Sequence, residues 1–147
     1  MRIKIYLTLA LFLISVMLYS QQKGYYRTPS INGNIVIFTA EGDLWKYDAG
    51  FGFTTRLTTD KGLEIDPCIS PDGKQVIFTG QYEGASELYI MDINGGVPKR
   101  ITYDYSGNLI QAYSWTKDGK ILYRTTAYSS IPAAQIIKLD PATLAKE

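Results

Sequence analysis

"CISPDGKQVIFTG", residues 68–80, joins two short apolar runs through a Pro-Asp-Gly-Lys tetrapeptide. It can be read as a catalytic loop, with Ser70 and Asp72 as nucleophile and helper, or as the turn of a β-hairpin. The rest of the chain decides between the two. "SINGNIVIFTA" (30–40) and "SWTKDGKILYRTT" (114–126) align with it at the turn, so that Gly33, Gly73 and Gly119 correspond, as do Phe38, Phe78 and Tyr123. The aromatic recurs after 40 and then 45 residues. Each copy runs on into a second apolar segment ending in Asp: "DLWKYD" (43–48), "ELYIMD" (87–92) and "QIIKLD" (135–140). The first two copies close with "TRLT" (55–58) and "KRIT" (99–102). The turn recurs without the Ser or without the Pro, which a catalytic motif does not tolerate. It is a hairpin turn in which Asp and Gly accept positive φ.

Within a copy the periodicity is that of strands. Val76 and Phe78 point one way and Ile77 and Thr79 the other; Leu88 and Ile90 alternate with Tyr89 and Met91. Runs that are apolar on both faces belong between neighbouring sheets. Four short strands in each 40 to 45 residues make the blade of a β-propeller. The fold class is therefore all-β, built of four-stranded antiparallel blades at about 24–65, 66–111 and 112–147. In the middle copy the strands are expected at about 66–70, 75–80, 87–92 and 98–102.

Composition removes whole classes of function. With 15 Lys+Arg against 14 Asp+Glu, the net charge of +1 gives no reason to expect nucleic acid. The chain has no His, so it cannot build a Ser-His-Asp or Cys-His site. A zinc site would need its one Cys plus carboxylates, a poor set for that metal. No cofactor, metal or catalytic residue is expected, and Cys68 reads as a buried small hydrophobe. The N-terminus reads as an export signal: Arg2 and Lys4 precede "IYLTLALFLISVML", and Ser20 stands before a cut ahead of Gln21. Residues 1–20 are thus a signal peptide delivering 21–147 to the periplasm or outside the cell. The alternative is a membrane anchor at 3–19.

Other candidate motifs yield to the repeat. "SWTK" fits Ser-x-x-Lys, but Ser114 overlays a strand and Lys117 a turn. Glu64 and Asp66 in "GLEIDP" could pair as carboxylates, yet their place in the copy is that of an inter-blade turn. "GFGF" (50–53) lacks the third Gly and the helix of a dinucleotide site. Arg56 and Arg100 recur on the outer strand, where a structural ion pair or hydrogen bond is the default and contact with a peptide carboxylate the alternative. The polar, aromatic loop "TTAYSSIPAAQ" (125–135) falls where blade loops project towards a channel mouth. Tyr128, Ser129 and Ser130, with Arg56 and Arg100, are the candidate peptide contacts.

Pro-x-x-Ser-Pro-Asp-Gly-Lys followed by an apolar strand ending in Phe-Thr resembles the repeat of TolB and WD40-like propellers. Longer stretches, "GDLWKYD" and "TRLTTDKGLEIDPCISPDGKQVIFTGQYEGASELYIMDINGGVPKRITYD", resemble the N-terminal propeller of tricorn-type proteases, across about residues 24–140. The segments "QYEGASELYIM" and "GGVPKRITYD" are the most specific. The resemblance implies about three blades of a six-bladed propeller in a large exported serine protease, with a second propeller, a PDZ domain and a catalytic core elsewhere. It implies that the propeller guides or filters peptide substrates and holds no catalytic residue. The partners implied are peptides or proteins, the remainder of the propeller and protease, and a second copy as homo-oligomer. The position equivalent to Arg100 in the third copy falls at 148, so the chain reads as a truncated product, a fragment or one piece of a split gene. Residues 21–147 alone are expected to self-associate through raw blade faces. Two alternatives stand beside this reading: a TolB-like binding propeller without enzymatic activity, and the propeller of a prolyl-oligopeptidase-type peptidase.

Overall fold

The computed structural model describes residues 25–104, 109–130 and 133–147. The expected signal peptide and its anchor alternative lie outside these residues. Eleven strands form three antiparallel sheets among the described residues. The first sheet holds β1 (Tyr26–Asn32), β2 (Ile35–Ala40), β3 (Asp43–Asp48) and β4 (Phe53–Arg56), in that order. The second holds β5 (Glu64–Ile69), β6 (Gln75–Glu83), β7 (Ala85–Asp92) and β8 (Lys99–Arg100), again in order. The third holds β9 (Ile110–Trp115), β10 (Ile121–Thr125) and β11 (Gln135–Leu139), and a bridge from Leu139 to Lys146 starts a fourth line of pairing. These are the blades of a propeller.

The repeated turns are what the residues demanded. Gly33, Gly73 and Gly119 sit at φ 58°, 71° and 78°, a region that a β-branched residue enters only with strain. In the middle copy Ser70 Oγ donates to Asp72 Oδ1 at 2.6 Å and accepts from Gln75 N at 2.9 Å. Lys74 N donates to Asp72 Oδ1 at 3.1 Å, and Asp72 is held below the usual carboxylate range by these bonds, the one from Ser70 foremost. Ser70 is buried, and its hydroxyl closes the hairpin.

Two cores flank the middle sheet as its alternation requires. Val76, Phe78, Tyr89 and Met91 pack on Ile37 and Leu44 of the first sheet. Ile77, Leu88 and Ile90 pack on Ile110, Ile121 and Tyr123 of the third. Burying each such large side chain contributes about 1.5–3 kcal/mol, so the two interfaces hold the sheets together. Hydrogen bonds set their register. Asn32 Nδ2 donates to Ser70 O at 2.9 Å, and Thr39 Oγ1 to Glu64 O at 3.1 Å. Between the second and third sheets, Ala112 N donates to Thr79 Oγ1 at 3.0 Å and Trp115 Nε1 to Cys68 O at 2.9 Å. The opposite face of the first sheet is open. Tyr26, Val36, Phe38 and Tyr47 line a shallow hollow of about 370 Å³ there, on the side that in the middle sheet is covered.

Candidate functional site

The strand that opens each sheet packs on the opening strand of the next, β1 on β5 and β5 on β9. All three are broken by a bulge at the same point. Pairing to β2 shifts between Arg27 and Ser30, leaving Thr28-Pro29 out of register. Pairing to β6 shifts between Ile65 and Cys68, leaving Asp66-Pro67 out. In the third sheet the shift leaves Tyr113 out. Thr28 and Asp66 take φ of 45° and 54°, a region that costs a non-glycine residue about 1–3 kcal/mol and that clusters at functional sites. Bulges re-aim side chains. Here Thr28, Pro29, Asp66, Pro67, Gln111 and Tyr113 come together around a hollow of about 330 Å³. It is formed by the opening strands alone and follows the inner wall of the sector.

The electrostatics of this wall are set by one carboxylate. Burial pushes the Asp66 carboxyl up, and the Gln111 side chain holds it partly down. Cys68 lies beside it, half-buried and packed against the second core, so its expected role as a small hydrophobe is joined to a place on the wall. Burial, then the charge of Asp66, pushes the Cys68 thiol up to about 11, so it stays protonated and donates to Tyr113 O at 3.4 Å. A protonated thiol is not a nucleophile at neutral pH.

Glu64 and Asp66 are not an inter-blade turn, and they do not pair. Both lie within β5, which begins at Glu64, and the bulge after Ile65 separates their surroundings. Glu64 is fully buried and its Oε2 accepts from Thr58 Oγ1 at 2.9 Å. Burial pushes its carboxyl up to about 7; Thr58 lowers it and the nearby Asp43 raises it further.

Arg56 and Arg100 build the same clasp in two sheets. Arg100 Nη2 donates to Glu87 Oε1 at 2.9 Å, its Nε to Thr102 O at 2.8 Å, and Thr102 Oγ1 accepts from Leu88 N at 2.8 Å. Arg56 pairs with Asp43, its Nε donates to Thr58 O at 3.0 Å, and Thr58 Oγ1 accepts from Leu44 N at 2.9 Å. The clasp fastens the outer strand to its neighbour. Tyr128, Ser129 and Ser130 lie in the loop after β10. Tyr128 OH donates to Asp104 Oδ1 at 2.7 Å, Tyr123 OH to Asp104 Oδ2 at 2.8 Å, and Lys146 Nζ to Tyr128 OH at 2.7 Å. The structure thus places the five candidate contacts in three separate clusters. The sequence reading sets Asp66 in an inter-blade turn and does not single out Thr28 or Tyr113, although Thr-Pro-Ser-Ile (28–31) and Asp-Pro-Cys-Ile (66–69) repeat at one position of the copy. Among the described residues, no group of three or more His, Cys, Asp or Glu is placed to hold a metal ion.

Residues 23–147 match the family of the tricorn protease N-terminal β-propeller domain. The chain is 36% identical over 102 residues to tricorn protease homolog 1 of Streptomyces coelicolor, covering 69% of this chain and 10% of that protein. It is 35% identical over 117 residues to the tricorn-like protease N-terminal subunit of Sulfurisphaera tokodaii, covering 77% of this chain and 58% of that one. Among solved structures, TolB from Acinetobacter baumannii is similar at TM-score 0.72 and 25% identity, covering 84% of this chain and 32% of that one. The tricorn protease is similar at TM-score 0.66 and 23% identity, covering 80% and 12%, a likeness of fold. The chain spans only part of each of these proteins.

Proposed function

Because the chain belongs to the tricorn protease N-terminal β-propeller family, we propose that it is a non-catalytic propeller sector of an exported tricorn-like serine protease, guiding extended peptides along its inner wall. The observation that carries this reading is the hollow formed by β1, β5 and β9 alone, with strained X-Pro bulges at equivalent places. An extended peptide suits such a surface because its own backbone groups need partners, and bulged strands hold theirs out of the ladder. Tyr128, Ser129 and Ser130 contribute at the mouth, whereas Arg56 and Arg100 act within their clasps. The open face at Tyr26, Phe38 and Tyr47 takes the next sheet of the same protein or a second copy.

The test is calorimetric titration of the chain with unstructured nonapeptides and with a folded protein of similar charge. Binding of the peptides in the range of about 10 μM to 1 mM, and none of the folded protein, is the expected result. The likeness to TolB favours a second reading, a propeller that holds a folded protein partner. Tight binding to a folded partner with no affinity for peptides would select it.

A further inference from the structure

We propose that the inner-wall hollow is a cation-recognition site, selecting peptides that present a lysine or arginine side chain to Asp66. The inference rests on the peptide-guiding reading above and names which peptides the wall prefers. Among the described residues that line the hollow, Asp66 alone carries a charge, and no Lys or Arg lies beside it there. Two bulges place Pro29 and Pro67 on the wall, and proline has no N–H to offer. The Asp66 carboxylate only accepts, and the hydroxyls of Thr28 and Tyr113 can accept as well as donate, so the surface can receive a donating group from several atoms. Such a lining suits a ligand group that only donates, and ammonium and guanidinium are the peptide groups that do so. The exposed Tyr113 ring adds a face on which a cation can rest. Asp66 is held there at φ 54° by a bulge, which sets the direction in which its side chain leaves the backbone.

The experiment compares N-acetylated, C-amidated nonapeptides that differ only at a central Lys, norleucine or Glu, titrated into the chain by calorimetry. The lysine peptide is expected to bind about tenfold tighter than the norleucine peptide, the size of one charge-assisted hydrogen bond, with the glutamate peptide weakest. Asp66→Asn reduces that preference to within about threefold, the yardstick being the same hydrogen bond. Asparagine accepts left-handed backbone better than most residues, so this variant retains the bulge. Thr28→Asp, which adds a carboxylate at the equivalent bulge, is expected to tighten the lysine peptide further. Equal affinity for all three peptides, unchanged in Asp66→Asn, overturns the cation site while the guiding role stands. Absence of binding by every peptide overturns both.

Discussion

Glu87→Ala is expected to destabilise the protein by about 3–5 kcal/mol, read as a lowered midpoint of urea unfolding. Glu87 is buried, with a side chain 1% exposed against 10% for the Arg100 guanidinium it holds. It also accepts from Thr102 Oγ1 at 2.5 Å and from Asp104 N at 3.2 Å. Removal leaves a desolvated cation beside the exposed Glu83 at 2.6 Å, together with a buried hydroxyl whose acceptor has gone. Asp43→Ala in the first sheet is a built-in comparison. Arg56 is 45% exposed there, so water compensates for much of the lost pair and the cost is smaller, about 1–2 kcal/mol. An Asp43→Ala loss equal to or larger than that of Glu87→Ala would contradict the account of the clasp.

Glu64→Gln is expected to abolish a loss of stability between about pH 5 and pH 8 that the native chain shows. The Glu64 carboxyl is pushed from 4.5 to about 7, by burial first and then by Asp43 against the lowering bond from Thr58. Between those values the folded state holds a proton that the unfolded state has released. The stabilisation is therefore full below pH 4.5 and is lost as pH rises through 7, amounting to about 3 kcal/mol. Burial and the two acids outweigh the hydrogen bonds that lower the Glu64 pKa. Asp43 on β3 and Asp60 in the following connection oppose its ionisation, and the buried Tyr82 hydroxyl has its own pKa raised, by burial and by Glu64. Glutamine is uncharged at every pH and retains a side-chain oxygen for Thr58. Thermal unfolding of both proteins across this range should give a falling curve for the native chain and a much shallower one for the variant. Parallel curves would show that Glu64 carries no such proton.

The repeat was legible because its determinants are local. A positive-φ glycine at 33, 73 and 119, an apolar pair on each side and an aromatic at 38, 78 and 123 report hairpins and two-sided burial without knowledge of the partner sheet. The division of Val76 and Phe78 from Ile77 and Leu88 into two cores follows from strand alternation alone. The inner wall was harder to read because a bulge breaks that alternation. Once two residues oppose one, the parity of every following side chain changes, and Glu64 and Asp66 no longer share surroundings. The clasp was half legible: Arg56 and Arg100 recur in register, while their acids, Asp43 and Glu87, had to be found across a strand pair. Nothing local announces that Tyr128 bonds to Asp104, 24 residues earlier in the chain.

The wall made by β1, β5 and β9 is the path proposed for a guided peptide. A peptide carrying one photoreactive benzoylphenylalanine, irradiated with the chain and mapped by mass spectrometry, tests it directly. Adducts concentrated near Thr28, Asp66, Gln111 and Tyr113, competed away by the unlabelled peptide, are expected. Adducts confined to the outer strands around Arg56 and Arg100, or to the Tyr128–Ser130 loop without the wall, would contradict it.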